Sequence, residues 1–346
     1  MNPHAKLIMV LSLILGTSIT ISSSHWVMAW TGLEINTLAI IPLISKSHHP
    51  RAIEAATKYF LTQASASALV LFSSMTNAWA TGQWDITQLT HPTSCLLLTT
   101  AIAIKLGLVP FHFWFPEVLQ GSPMITALLL STLMKFPPIT LLLLTSQSLN
   151  PTLLTSMALT SAALGGWMGL NQTQTRKILA FSSISHLGWM AVIIIYSPKL
   201  TLLTFYLYTV MTTTVFLTLN KIKAMKLSTL MISWTKTPVL NASLMLVLLS
   251  LAGLPPLTGF LPKWFIIQEL AKQEMAPTAV TIAMLSLLSL FFYLRLTYYS
   301  TITLPPNSSN HMKQWHTNKS PSTTTAILTS MSILLLPLSP MIQTII

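Results

Sequence analysis

Charge is what this chain has least of. Only 7% of its 346 residues are Asp, Glu, Lys or Arg, against roughly 25% in a soluble domain, which excludes a water-facing globular surface. Cysteine is nearly absent too. Cys95 is the only one, so no internal disulfide, CxxC pair or iron–sulfur cluster can form within the chain. The spaced glycines of a dinucleotide-binding turn are missing. No basic arm or arginine cluster gathers the net charge of +12, so nucleic acid is not expected as a partner. The N-terminal run "MNPHAKLIMVLSLILGTSIT" lacks a small-x-small cleavage site and an Arg-rich amphipathic pattern, and reads as a first span rather than a leader. The sequons at Asn171, Asn241, Asn307 and Asn318 read as chance matches in a Ser/Thr-rich chain.

What is present is apolar sequence, 52% of residues, with a mean hydropathy of +0.67. Runs of about 20 apolar residues recur from end to end, as bilayer-crossing helices require. They predict eleven spans, near 3–22, 25–45, 53–78, 93–120, 123–146, 151–170, 177–196, 200–220, 239–272, 275–300 and 324–344. The fold class is all-α, a polytopic membrane protein. A polar loop is expected at 301–323, with 324–346 as the final transmembrane helix.

The basic residues sort by side. Lys6, Lys46, Arg51, Lys58, Arg176, Lys177, Lys221, Lys223, Lys226, Lys236, Arg295, Lys313 and Lys319 fall on one face; only Lys199 and Lys272 fall on the other. That asymmetry puts the N-terminus on the side where the chain is made and, with an odd span count, the C-terminus opposite.

Sliding the chain against itself by 146 residues lays "GLVPFHFWFPE" (107–117) on "GLPPLTGFLPK" (253–263). Gly107, Pro110 and Pro116 match Gly253, Pro256 and Pro262, and Pro255 adds a further breaker. Proline frees backbone carbonyls, which is tolerable at membrane depth only where they face protein or a water-lined cavity. The two broken spans are the fourth and the ninth, five crossings apart. The chain therefore reads as one membrane domain, an inverted-repeat transporter with halves approximately 1–146 and 147–300 and the functional site at the breaks.

Four ionisable residues lie in apolar sequence: Glu34, Lys105, Lys135 and Lys263. A charge at the bilayer centre costs at least about 2.5–3.5 kcal/mol. An amine there can take up and release a proton, and moving a carboxylate partner changes which it does. At roughly 7 Å and an effective dielectric near 20, one charge acts on another with about 2.4 kcal/mol. His112, inside the first break, and His186, in "AFSSISHLGWMAV", could relay protons, although a buried histidine tied to a carbonyl is the more usual case.

At these residues a family resemblance becomes specific. "LVPFHFWFPEVLQGSPMITALLLSTLMKF", "LAGLPPLTGFLPKWFII" and "WTGLEINTLAIIPL" resemble the antiporter-like, proton-pumping membrane subunits of respiratory NADH:quinone oxidoreductase, complex I. The resemblance implies Glu34 and Lys105 as a coupled pair, Lys135 as a central lysine and Lys263 as a terminal one. It implies the mitochondrial inner membrane, N-terminus toward the matrix and C-terminus toward the intermembrane space. The implied partners are other complex I membrane subunits, including neighbouring antiporter-like chains, and membrane lipids. NAD, FMN, iron–sulfur clusters and ubiquinone are implied to sit in other subunits, with no cofactor in this chain. The chain departs from its bacterial relatives, which have 14 helices, by lacking the first three. Two alternatives stay open: a stand-alone cation/proton antiporter, and a structural membrane subunit whose lysines only pair helices.

Overall fold

A computed structural model describes residues 3–47, 49–235, 237–301 and 322–339. The chain packs as two compact units, Met1–Ser161 and Ala162–Ile346. The described residues of the first are α1 (Pro3–Ser22), α2 (Trp26–Ile44), α3 (Pro50–Thr81), α4 (Pro92–Leu106), α5 (Trp114–Gly121), α6 (Met124–Ser131) and α7 (Phe136–Leu144). The division falls within α8 (Pro151–Gly169). The second unit holds α9 (Thr175–Ile193), α10 (Pro198–Ile222), α11 (Leu227–Ser233), α12 (Pro238–Ala252), α13 (Phe260–Lys272), α14 (Ala276–Thr301) and α15 (Thr323–Leu334). Among the described residues no strand occurs.

Proline explains why so many helices start where they do. Pro50, Pro92, Pro198 and Pro238 each occupy a first helical turn, where the missing N–H has no intrahelical acceptor to lose. Other prolines sit at the breaks, so the described residues are mostly helical despite the many prolines. Helix occurs within each of the eleven predicted apolar runs, but the fourth, fifth and ninth are interrupted. By length and composition, five stretches can cross a membrane: Pro3–Ser22, Trp26–Ile44, Met124–Leu144, Pro198–Ile222 and Ala276–Thr301. The apolar helices α4 and α12 have 15 residues each, about 22 Å at 1.5 Å per residue. That is short of a core about 30 Å thick, and each resumes after its break as α5 or α13. The polar loop expected at 301–323 lies outside the described residues apart from its ends, as do Lys236, Lys313, Lys319 and residues 340–346.

Polarity is arranged with apolar side chains outside. Leu7, Ile8, Leu11, Ile14 and Leu15 stand exposed on α1, whereas Asn36, Gln63, Ser67, Ser73 and Asn77 are buried. Helices of such a protein gain no hydrophobic drive from one another and associate through close packing at small residues. Gly16 of α1 and Gly32 of α2 meet this way: a Cβ on Gly16 would lie 2.4 Å from Asn36 Oδ1 and 2.9 Å from the Gly32 carbonyl. Asn36 thus occupies space that a side chain on α1 would need.

Candidate functional site: two helix breaks and the buried charges beside them

The 146-residue offset read from sequence carries over to the backbone. It superposes Pro92–Leu106 on Pro238–Ala252 end to end, and the first residue of α5, Trp114, on the first of α13, Phe260. Both leading helices end on a left-handed glycine, Gly107 at φ 77° and Gly253 at φ 83°, a conformation that disfavours other L-residues. Leu108 N–H returns to the Ala103 carbonyl at 3.0 Å and Leu254 N–H to the equivalent Leu249 carbonyl at 3.4 Å. Each is the six-to-one bond of a Schellman cap. Residues 107–113 and 253–259 then run without helix, with Pro110, Pro255 and Pro256 in the turns and Pro116 and Pro262 in the first turn of the resumed helix.

Around the first break three of the expected charges come together. Lys105 is the penultimate residue of α4, 6% exposed, and Lys135 is 3% exposed. Both line one internal cavity of about 20 Å³ with Asn36, Thr37, Tyr59 and Gln63, space for about one water. Among the described residues, Lys105 Nζ, both polar atoms of the Asn36 amide and Gln63 Nε2 have no hydrogen-bond partner. A water in the cavity needs two to four such groups. Lys135 Nζ also stands 4.8 Å from the centre of the Phe115 ring, a cation–π distance. Trp114 Nε1 donates to the Ile104 carbonyl at 3.1 Å, an acceptor it shares with the Gly107 N–H at the helix end.

Glu34 is on α2, half-buried, within electrostatic reach of Lys105 and Tyr59. Thr37 Oγ1 donates to its Oε2 at 3.1 Å, and Ser67 Oγ donates to its Oε1. Because Thr37 also lines the cavity, one residue touches both the carboxylate and the space the lysines share. Among the described residues the ion pairs are Lys58 with Glu54 and Glu117, and Lys272 with Glu269. All involve exposed lysines.

The second break holds its charge differently. Position 105 corresponds to Leu251 and position 117 to Lys263, so the amine precedes the glycine in one copy and follows it in the other. Lys263 Nζ donates to the Ala252 carbonyl at 2.7 Å and stands 5.8 Å from the centre of the Trp189 ring. Its side chain fills the space beside Gly253, where a Cβ would come within 2.9 Å of both Cδ and Nζ. On α9, three residues before Trp189, His186 faces Tyr293, with Nε2 and the phenol oxygen 3.4 Å apart; its ring lies 5.5 Å from Tyr208. His112 is buried in the first break against Phe113, 4.2 Å between ring centres, but does not line the lysine cavity.

Asn36, Thr37, Tyr59, Gln63 and Ser67 were not singled out by sequence; each is an ordinary polar residue on an apolar helix. The usable signal was spacing. Thr37 lies three residues after Glu34, and Gln63 and Ser67 are one turn apart on α3. The fifth span also differs from the single helix expected over 123–146. A 3₁₀ turn, Leu133–Lys135, separates α6 from α7. Pro137 and Pro138 cannot donate to the carbonyls a turn behind, so Lys135 sits at a third interruption.

With this geometry in hand, known proteins give a consistent match. The family described as "NADH:quinone oxidoreductase/Mrp antiporter, TM" matches residues 23–291, and "NADH dehydrogenase subunit 2 C-terminus" matches residues 290–343. NADH-ubiquinone oxidoreductase chain 2 of Anas acuta is 84% identical over 346 residues, all of both chains. That of Gallus gallus is 80% identical over 344 residues, 99% of each. Among solved structures, a chain of respiratory complex I from Thermus thermophilus with bound aureothin aligns with TM-score 0.87 at 27% identity, covering 100% of this chain and 80% of that one. A chain of the Mrp complex from Dietzia sp. DQ12-45-1b shares the fold, with TM-score 0.79 at 18% identity over 84% of this chain and 59% of that one. The chain belongs to the NADH:quinone oxidoreductase/Mrp antiporter membrane family, among its NADH dehydrogenase subunit 2 members.

Proposed function

We propose that protons move through this chain by way of Glu34, Lys105 and Lys135 in the first unit and Lys263 in the second. The chain is a proton-translocating membrane subunit of complex I, a multi-pass protein of the mitochondrial inner membrane that works with the other membrane subunits of that assembly. The observation that carries the residue assignment is the cavity lined by both Lys105 and Lys135, with Thr37 joining it to the Glu34 carboxylate. When Glu34 is ionised it favours a proton on Lys105. When that influence weakens, Lys105 can release the proton through a water to Lys135. Lys263 acts at the second break, where the Ala252 carbonyl holds its amine. The inverted halves run approximately 1–146 and 147–300. The basic face looks toward the matrix with the N-terminus, and the C-terminus toward the intermembrane space. NADH oxidation, flavin, iron–sulfur clusters and quinone reduction belong to other subunits.

The test is redox-driven proton pumping by assembled enzyme carrying Lys105→Met or Lys135→Met. The expected result is a lower proton-to-electron ratio with the complex still assembled. Normal pumping by both variants would remove these residues from the path.

A further inference from the structure

A groove of about 730 Å³ opens along the end of α14, and none of the four path residues lines it. Its walls include Leu170 and Asn171, which follow α8, and Phe291, Leu294, Arg295 and Tyr298 of α14. Arg295 supplies the charge. One Nη1 hydrogen bond to the Leu170 carbonyl and a 5.5 Å approach to the Tyr299 ring fix its guanidinium in place. Neither contact neutralises it, and none of the ion pairs among the described residues includes it. A guanidinium so held keeps most of its five donors for an oxyanion and suits the paired oxygens of a phosphate.

The depth of the groove also matters. Arg295 lies nineteen residues after Ala276, the first residue of α14, or about 28 Å along the axis. That places it near the edge of a hydrocarbon core about 30 Å thick. Leading up to it, Val280, Met284, Leu287, Phe291 and Leu294 are all exposed, and their spacing of four, three, four and three residues makes one continuous apolar face. Tyr298, also exposed, continues that face where an amphipathic aromatic marks the membrane interface. The stripe runs into the groove, so an apolar tail and a charged head are both provided for, in the right order and about the right distance apart.

We propose that this groove binds the headgroup of an anionic phospholipid, with its phosphate against Arg295 and its acyl chains along the exposed stripe of α14. A basic pocket between helices at the membrane surface is a recognised kind of lipid site. A purely apolar partner helix would leave the guanidinium facing no anion. The inference stands apart from the proton path and does not depend on it.

The experiment uses the intact complex in phosphatidylcholine vesicles doped with a photoactivatable phosphatidylglycerol. Labelled peptides are mapped after illumination, with an uncharged photoactivatable diacylglycerol as comparison. The expected result is labelling within 287–301 that favours the anionic probe by about fivefold, the weight of one basic residue at a membrane surface. Arg295→Gln should abolish that preference, and Arg295→Lys should retain most of it. The wild-type comparison of the two probes does not depend on the variants assembling. Equal labelling by both probes, or no labelling of 287–301, would overturn the proposal; the latter is what a protein partner seated on this face would give.

Discussion

Thr37 is the residue where the Glu34 carboxylate and the lysine cavity meet. Thr37→Val keeps its shape and removes that contact. A hydrogen bond to a charged group is worth about 1.5–3 kcal/mol, so the expected outcome is pumping slowed about tenfold with normal assembly, measured as proton flux at a fixed rate of NADH oxidation. Ser73→Ala is the matching control. Ser73 is buried on α3 and donates to the Val70 carbonyl of its own helix, so its loss should leave the flux unchanged. Lys58 makes the opposite case. It pairs with Glu54 and Glu117 at 2.6 Å each, yet its side chain is 41% exposed. Water and salt screen such exposed pairs strongly, and Lys58→Met should leave the melting temperature of the complex nearly unchanged. The sequence announced Glu34, Lys105 and Lys135 because a charge in an apolar run is conspicuous. It could not announce Thr37, Asn36 or Gln63, whose importance comes only from the direction in which their helices turn them.

At the scale of elements, the breaks were the most legible feature. Glycine and proline act on the backbone locally, so a matching run of them at the 146-residue offset foretold matching helix ends. The interruption at Lys135 is harder to read although "KFPP" carries the signal, because the surrounding residues are as apolar as those of an unbroken span. The two glycine caps should respond differently to the same substitution. Gly107→Ala meets the left-handed penalty, about 1–2 kcal/mol, with its nearest neighbours at ordinary contact, 3.5 Å or more. Gly253→Ala meets the same penalty and also strikes the Lys263 side chain at 2.9 Å. The expected result is reduced thermal stability for both and lost pumping for Gly253→Ala alone, read by calorimetry and proton flux on the same preparations. A Cβ at Gly259 would lie 1.6 Å from the Ser250 carbonyl oxygen. Gly259→Ala should therefore fail at assembly, seen as loss of the intact complex on a native gel.

For the molecule as a whole, the distribution of charge carries an orientation that labelling can read. Cys95 is buried and is the only cysteine, so Cys95→Ser gives a background free of thiols from this chain. Lys199→Cys should then react with a membrane-impermeant maleimide applied from the intermembrane-space side. Lys223→Cys should react only after the membrane is opened. The reverse pattern would invert the topology. Overall class was visible in the sequence because bilayer residence is a property of composition, which needs no tertiary detail. The meeting of α2, α3, α4 and α7 around one small cavity is a matter of packing, and no local pattern encodes it.

The crossing of α1 and α2 has a consequence for reading inherited variation. Gly16 carries no charge, lies on a helix facing mostly outward and is far in the chain from any lysine of the path. Yet the Asn36 amide occupies the room a side chain there would take, and that amide is part of the cavity wall. An inherited alanine or serine at residue 16 would be judged harmless by chemical similarity. Its cellular signature should instead be a respiratory chain that consumes oxygen at a near-normal rate while storing less membrane potential per electron.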